Sequence, residues 1–474
     1  MGKLSLRTNT AYWTGQIAEG LTTTAFGLFL LFYYNQVLGL SGTLCGIALF
    51  VATVVDAVTD PYMGSVSDGW RSRWGRRHPF LYVSAIPMGI CFVLVFNPLV
   101  EGQIGLFIWM LVFNVLTRVA MTLYAVPYMA LGAEMTEDYH ERTVVVSGRL
   151  FFGVLGQLLV YFLGFGVFFV ASDEFQNGQL DPSAYTPFAS VIALLMAVSI
   201  LGSAAGTHHL IPRLLQPKTR QKTGPKVVML DAVQALKNRS FRWLVLGFLV
   251  ASAPVGVSGG LGLYMGTFFW EVAPEKFLFV LPAMTLGTIL GYAVAPWASH
   301  LLEKRQLLIG GALGWAVFAV LPVGLHFAGL FPAPGTDALI VGLVVFGLLS
   351  GLAASQIFVT VSSMLADVAD EHELGSGKRQ EGVFYGSYAF VTKASAGLGG
   401  AISGIALDLI RWPTGELVKT AADIPADTLF QLAMITGPGL VIGILPAVWC
   451  FSRYTLDRQR HQAILDELQG RRIA

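Results

Sequence analysis

The chain has 474 residues, of which 54% are hydrophobic and only 12% are charged. A soluble domain carries about 25% charged residues, so this composition excludes an ordinary soluble protein. With 30 basic and 29 acidic side chains, the formal net charge is +1, which gives no indication of a polyanionic partner such as a nucleic acid. The cysteines, Cys45, Cys91 and Cys450, lie within apolar runs and predict no disulfide framework.

The apolar residues form long runs, and a helix needs about 20 mostly apolar residues to cross the hydrocarbon of a bilayer. The runs therefore predict an all-α polytopic membrane protein with twelve transmembrane helices. In chain order we predict spans at 11–37, 43–67, 80–99, 103–132, 144–172, 188–212, 239–270, 275–300, 307–327, 337–366, 383–411 and 428–452. Residues 1–15 lack an apolar core with a cleavage site, so we expect the first span to direct targeting.

The linkers between the predicted spans differ in basic charge. One alternate set, which includes both termini, is rich in arginine and lysine, whereas the other set contains only Lys276, Arg411 and Lys419. By the positive-inside rule the basic set is cytoplasmic. Both termini are therefore expected in the cytoplasm, and the number of spans is expected to be even.

A basic, polar segment interrupted by Pro217 and Pro225 separates the sixth span from the seventh. Six spans on each side are typical of transporters built from two related halves around a central path, although no residue-level repeat is visible. We predict an N-terminal six-helix bundle at 1–212, a cytoplasmic middle loop at 213–238, a C-terminal six-helix bundle at 239–452 and a cytoplasmic tail at 453–474. The charged tail predicts a helix at the membrane surface.

Ionisable side chains within the spans indicate function, because each costs about 2.5–3.5 kcal/mol near the centre of an inserted helix. Three acids and three bases of this kind are present: Glu19, Asp56, Asp60, Arg118, Arg149 and Lys393. They can neutralise one another across a central cavity, or they can form a purely structural network of ion pairs. Asp408 lies so close to the end of its span that we assign it no role.

Asp56 and Asp60 are four residues apart, so they lie on one face of a helix about one turn from each other. Thr59 adds a hydroxyl oxygen near that face. Hard cations such as Na⁺ prefer carboxylate, hydroxyl and carbonyl oxygens, whereas two close carboxylates can instead share a proton. The pair is therefore the predicted site of a coupling ion, with an ion-pair network to Lys393 or Arg149 as the structural alternative.

A glycine turn, an acid and a cluster of arginines join the second and third spans. The predicted gating residues of this junction are Asp68, Arg71, Arg73 and Arg76. Acids and bases at a cytoplasmic helix junction can form a charge clamp that holds one conformation and breaks in the other. Asp367 and Asp370, in the loop predicted after the tenth span, are the expected counterpart in the second half. Loops that only satisfy the topology are the alternative.

Three segments carry a close resemblance to a known family: DAVTDPYMG at 56–64 with the arginine-rich loop after it, YYNQVLGL at 33–40 and ADVADE at 366–371. They resemble the melibiose-permease family, the glycoside–pentoside–hexuronide:cation symporters of the major facilitator superfamily, over nearly the whole chain. The resemblance implies the major facilitator fold in a bacterial cytoplasmic (inner) membrane. It also implies alternating access, with Na⁺, Li⁺ or H⁺ carried alongside a sugar or related solute.

The resemblance further implies which residues form the sites. The family's cation site corresponds to Asp56, Thr59, Asp60 and Thr122, with Asp56 and Asp60 as ligands if the ion is Na⁺. Its solute site corresponds to Glu19, Arg149 and Lys393. Melibiose carriers have asparagine at the position of Thr59, which leaves the choice of cation open.

The fourth helix departs from the pattern of melibiose carriers. Those proteins place an aspartate there to bind sugar hydroxyls, with an aromatic residue one turn later, where this chain has Ala125 and Met129. A site that hydrogen-bonds a hydroxyl discriminates strongly among solutes, so this change argues against a galactoside. Tyr124 and Tyr128 are expected to compensate in part and are added to the solute site.

Together these features predict a cation-coupled symporter of a sugar, glycoside or uronide, with the transport of an amphiphile such as a lysolipid as the alternative. We expect no cofactor beyond the coupling ion, membrane lipid and a small solute as partners, no nucleic acid, and function as a monomer. An enzyme is disfavoured because GxxxxGK[ST] and HExxH motifs are absent from the sequence, and its GxSxG match at 256–260 lies inside the predicted seventh span rather than at a strand-to-helix turn. A channel would instead conduct without saturation or coupling.

Overall fold

The computed structural model describes residues 4–136, 138–214, 236–376, 381–415 and 418–473. Among these residues, 11 helices are long and apolar enough to cross a membrane. They are α1 (Leu6–Val37), α2 (Gly42–Gly69), α3 (His78–Val95), α4 (Gln103–Glu134), α5 (Glu141–Phe168), α6 (Pro182–Pro212), α7 (Arg239–Phe269), α8 (Pro274–Leu301), α9 (Lys304–Phe327), α10 (Asp337–Leu374) and α12 (Ala426–Ser452). Helix α11 (Glu381–Leu409) covers the remaining predicted span. The all-helical membrane architecture is thus confirmed.

Helix α10 corrects one predicted boundary. We expected the span to end at residue 366 and the acids after it to lie in a loop, but the helix continues to Leu374. Apolar side chains explain the extension, since Leu365 and Val368 are fully buried and Ala369 is 1% exposed. Asp367 and Asp370 therefore lie on a helix.

Contacts divide the chain into two compact units. Unit 1 comprises Met1–Pro225 and Ser403–Ile424, and unit 2 comprises Lys226–Ile402 and Pro425–Ala474. The division falls within the predicted middle loop, of which residues 215–235 lie outside the described part of the chain. The end of α11 groups with the first six helices, although the predicted bundle at 239–452 includes it.

The start of α2 is capped by an acid from α11 within unit 1. The first amides of a helix lack intrahelical partners and favour negative charge. Asp408 accepts hydrogen bonds from the backbone amides of Gly42 at 2.8 Å and Thr43 at 2.7 Å, and from the Ser41 hydroxyl at 2.6 Å. The acid to which the sequence analysis assigned no role therefore fixes the end of the helix that carries Asp56 and Asp60.

Glycines allow helices to approach backbone to backbone in both units. In unit 1, an ideal Cβ on Gly404 would lie 2.0 Å from the Gly42 carbonyl oxygen. In unit 2, Cβ atoms on Gly256 and Gly399 would each lie 2.3 Å from the other residue's Cα. Contacts this close exclude any side chain larger than hydrogen.

We expect Gly404→Ala to lower the melting temperature of the purified protein, because the added methyl forces α11 away from α2. Overpacking of this kind typically costs about 1–3 kcal/mol. Gly310→Ala, on α9, is the matched control because no atom lies within 4 Å of its ideal Cβ. Thermal unfolding in detergent compares the two variants, and equal melting temperatures would contradict the proposed contact.

Candidate functional site

The carboxylates of Asp56 and Asp60 on α2 meet a hydroxyl of α4. Oγ1 of Thr122 lies 2.9 Å from Oδ1 of Asp56 and 2.8 Å from Oδ1 of Asp60. The Thr59 hydroxyl lies 3.5 Å from Oγ1 of Thr122 and donates to the Asp56 backbone carbonyl at 3.2 Å. Within unit 1, the structure therefore brings together all four residues predicted to form the cation site.

The Thr122 hydroxyl has only one hydrogen to donate, although two carboxylate oxygens lie within hydrogen-bonding distance. The second contact becomes favourable if one carboxylate is protonated and donates to Oγ1, or if a cation lies among the oxygens. Two charged carboxylates held this close would also repel each other strongly in a medium of low dielectric constant. The arrangement is therefore chemically suited to one added positive charge, either H⁺ or a hard cation such as Na⁺.

Prolines interrupt the backbone hydrogen bonding of both helices beside this group. Pro61 follows Asp60 directly, and Pro127 lies inside α4. A proline has no N–H, so the carbonyls of Ala57 and Leu123 lack their usual intrahelical donor. Each helix therefore lacks one backbone hydrogen bond close to the predicted cation site.

Arg118, on α4, lies beside the same carboxylates. Its guanidinium is 3.6 Å from Oδ2 of Asp56, and its Nε donates to Oδ1 of Asn114 at 3.3 Å. The Asp56 side chain is only 13% exposed, so this charge is weakly screened. Arg118 therefore compensates part of the acidic charge and competes with any cation that binds there.

The predicted solute residues of unit 1 lie around α1. Gln16 donates a hydrogen bond of 2.5 Å from Nε2 to Oε2 of Glu19. The Gln16 side chain packs against Gly153 of α5, because a Cβ built on that glycine would lie 3.2 Å from Cγ of Gln16. One turn earlier on α5, the half-buried Arg149 interacts with the Tyr12 hydroxyl. An acid, an amide and a guanidinium thus meet between α1 and α5.

Three tyrosines form a stack beside this group. The ring centroids of Tyr12 and Tyr128 lie 4.6 Å apart, and those of Tyr124 and Tyr128 lie 5.1 Å apart. The Tyr128 hydroxyl donates to the Tyr12 backbone carbonyl at 2.8 Å, so it already has a partner inside the bundle. Met129, at the position where melibiose carriers have an aromatic residue, is 49% exposed.

Sequence reasoning missed Tyr12 and Gln16. The available signal was their spacing, since residues 12, 16 and 19 recur at intervals of four and three and so share one helix face. Lys393, the remaining predicted solute residue, lies half-buried on the part of α11 that belongs to unit 2.

The predicted clamp of unit 1 depends on a buried arginine that the gating assignment omitted. Arg77 is 4% exposed and pairs with Asp68 and, at 2.7 Å, with Glu134 on α4. Arg76 also lies 2.7 Å from Glu134. The other two predicted gating residues, Arg71 and Arg73, are exposed.

In unit 2 the acids of α10 contact two other elements. Lys304, at the start of α9, lies 2.7 Å from Asp367. Helix α13 (Arg458–Ile473), formed by the predicted tail, brings Nε2 of His461 to 3.1 Å from Asp370. Burial raises the pKa of nearby Tyr454, and the Asp367 charge adds to the effect, so the phenol remains neutral. The tail is therefore an ordered helix attached to α10.

A bundle of membrane-spanning helices with carboxylates, arginines and hydrogen-bonding side chains buried inside it is a polytopic membrane transporter. Residues 11–458 match the family described as MFS/sugar transport protein, and the chain belongs to that family. The expected membership of the major facilitator superfamily and of its glycoside–pentoside–hexuronide symporters is confirmed.

Individual relatives cover nearly the whole chain. The putative glycoside/cation symporter YagG of Escherichia coli is 27% identical, covering 100% of this chain and 97% of its own. The sodium-dependent lysophosphatidylcholine symporter 1-A of Danio rerio is 24% identical, covering 95% of this chain and 85% of its own. The partially occluded, inward-open xylose transporter XylE of E. coli shares the fold, with a TM-score of 0.60, 15% identity and coverage of 96% and 98%.

We expect Arg118→Met to bind the coupling cation about tenfold more tightly than the unmodified protein, because it removes a competing positive charge beside Asp56. Without bound cation the variant should melt earlier, since the acid loses its partner. Melting temperatures across a titration of NaCl and of pH measure both effects. Arg7→Met, at an exposed position of the same unit, is the control. Unchanged or weaker cation binding by Arg118→Met would contradict the competing role.

Proposed function

We propose that this protein is a cation-coupled symporter of a small organic solute, a sugar, glycoside or uronide, that works by alternating access. The observation that carries the proposal is the single Thr122 hydroxyl shared by two acids. Relatives named as a putative glycoside/cation symporter, an isoprimeverose transporter and a glucuronide carrier protein homolog support the solute class.

The coupling ion is Na⁺ or H⁺, bound among Asp56, Thr59, Asp60 and Thr122. Neutralising one acidic charge removes the repulsion between the two carboxylates and draws α2 and α4 together. Glu19 and Arg149 of unit 1 are assigned to solute binding, as is Lys393 of unit 2. By linkage, an ion that strengthens solute binding must itself be bound more tightly when the solute is present. The ion gradient then drives uptake.

An amphiphile such as a lysolipid is the second candidate solute. The observation that favours it is the pair Ala125 and Met129, which offers apolar surface where melibiose carriers have polar and aromatic groups. The similarity to the zebrafish lysophosphatidylcholine symporter agrees with this alternative. Both candidates require the same cation site.

The basic charge of the linkers supports a cytoplasmic location for both termini, and the bacterial relatives support the cytoplasmic (inner) membrane. We propose a monomeric carrier surrounded by lipid that catalyses no covalent chemistry, needs no cofactor beyond its ion and binds no nucleic acid. The contacts of Asp68 and Arg76 in unit 1, and of Asp367 and Asp370 in unit 2, act as conformational clamps that stabilise one state of the transport cycle.

We expect Asp60→Asn to abolish accumulation of solute against a gradient while exchange of solute across the membrane continues. An amide keeps the shape of the side chain but removes the charge that attracts the ion. Proteoliposomes with an imposed Na⁺ or H⁺ gradient measure accumulation, and the same vesicles preloaded with solute measure exchange.

The matched control is Asp337→Asn, because the Asp337 side chain is 92% exposed and pairs with Lys276 far from α2 in sequence. Full concentrative uptake by Asp60→Asn would overturn the proposed coupling. Loss of both accumulation and exchange in a correctly folded variant would assign Asp60 to solute binding instead.

A further inference from the structure

Three buried polar atoms without a hydrogen-bond partner in the described structure belong to three helices of unit 1. They are Oε1 of Gln16, the hydroxyl of Tyr124 and Nε of Arg149, which belong to α1, α4 and α5. Tyr124 is fully buried, and its hydroxyl would lie 2.3 Å from a Cβ on Gly15, the residue before Gln16. Tyr124 also interacts electrostatically with Tyr12, Glu19 and Arg149. Buried polar groups are normally paired, so this concentration indicates a missing partner.

The orientation of the Gln16 amide follows from its neighbour. The amide nitrogen Nε2 is the atom that lies 2.5 Å from Oε2 of Glu19, to which it donates a hydrogen bond. The unpartnered atom is therefore the carbonyl oxygen, which can only accept. Since both atoms belong to one amide, this oxygen lies beside the same carboxylate.

We propose that Gln16 is a specificity-determining residue that, together with Glu19, accepts hydrogen bonds from two adjacent hydroxyl groups of the solute. The proposal rests on the proposed function and narrows its solute class to a ring that carries a vicinal diol. Two neighbouring acceptors are complementary to the two hydroxyl donors of a vicinal diol. Arg149 Nε then donates to an oxygen of the same solute, as a hydroxyl both donates and accepts.

This chemistry separates the two candidate solutes. Lysophosphatidylcholine has an anionic phosphate that only accepts, a quaternary ammonium without an N–H and a single free glycerol hydroxyl, so it can supply one donor but not two adjacent ones, and one of the two acceptors stays unpaired. A buried polar group left unpaired costs more than the pairing gains, which makes such an acceptor selective.

The test measures binding of methyl β-D-glucopyranoside, methyl β-D-galactopyranoside, methyl β-D-xylopyranoside, methyl β-D-glucuronide and their monodeoxy derivatives by calorimetry. The protein is used full length in lipid nanodiscs with NaCl, and lysophosphatidylcholine is the amphiphilic probe. Gln16→Leu keeps the side-chain volume and removes the acceptor. Gln157→Leu on α5 is the control, because that amide donates to the Tyr161 hydroxyl at 2.7 Å.

We expect Gln16→Leu to bind its preferred glycoside about tenfold more weakly than the unmodified protein. Removal of one particular hydroxyl from the glycoside should weaken its binding to the unmodified protein, and to Gln157→Leu by a similar factor. The same removal should not weaken binding to Gln16→Leu any further. Equal sensitivity of Gln16→Leu and the unmodified protein to every deoxy change would overturn the role of Gln16.

Two further outcomes decide the remaining points. If Gln16→Leu is not folded, Gln16→Met and Gln16→Asn replace it. The acceptor role is supported if Gln16→Met loses the sensitivity of binding to removal of the particular hydroxyl, whereas Gln16→Asn keeps it. If the unmodified protein binds lysophosphatidylcholine and no glycoside, the vicinal-diol class is wrong. Glycoside binding without gradient-driven uptake would instead refute symport and leave the role of Gln16 intact.

Discussion

One hydroxyl hydrogen between two acids is the constraint on which the proposed activity of this protein depends. Thr122 lies within 2.9 Å of both Asp56 and Asp60, which are themselves held one turn apart on α2. In a membrane interior, a second negative charge this close is unfavourable unless a proton or a cation compensates it. In the proposed cycle the site changes its charge state whenever an ion arrives or leaves, and each change alters the attraction between α2 and α4.

The way in which α2 and α4 are held suits such a change. Asp408 fixes the first turn of α2 through two backbone amides and a serine hydroxyl. Gly404, also on α11, allows the backbones of the two helices to approach closely at the same end of α2. Pro61 leaves the backbone beside Asp60 without one of its hydrogen bonds. One end of α2 is thus anchored, while the segment that carries the carboxylates can adjust to the ion.

The sequence could predict the spans and the cation pair because both depend on local pattern. Apolar runs of membrane length define the helices, and a spacing of four places Asp56 and Asp60 on one face whatever surrounds them. The sequence could not predict the cap formed by Asp408, because the groups that Asp408 binds belong to a helix far away in sequence. An acid at the end of a helix does not by itself indicate such a contact. Gln16 and Tyr12 were missed for the same reason, because ordinary polar and aromatic residues acquire a role only through the facing helix α5. The length of α10 depends on burial of Val368 and Ala369, which hydropathy alone does not show.

Helix α4 offers a physical route by which ion and solute can influence each other. It presents Thr122 to the acids of α2 and, two residues later, Tyr124 to the backbone of α1 beside Gln16. Residues two positions apart point to different sides of a helix, so one short segment of α4 contacts both proposed sites. A shift of α4 toward the acids on ion binding must also move the Tyr124 hydroxyl relative to Gln16 and Glu19. In the proposed mechanism, coupling needs no contact between ion and solute, because the same turn of α4 contacts both proposed sites.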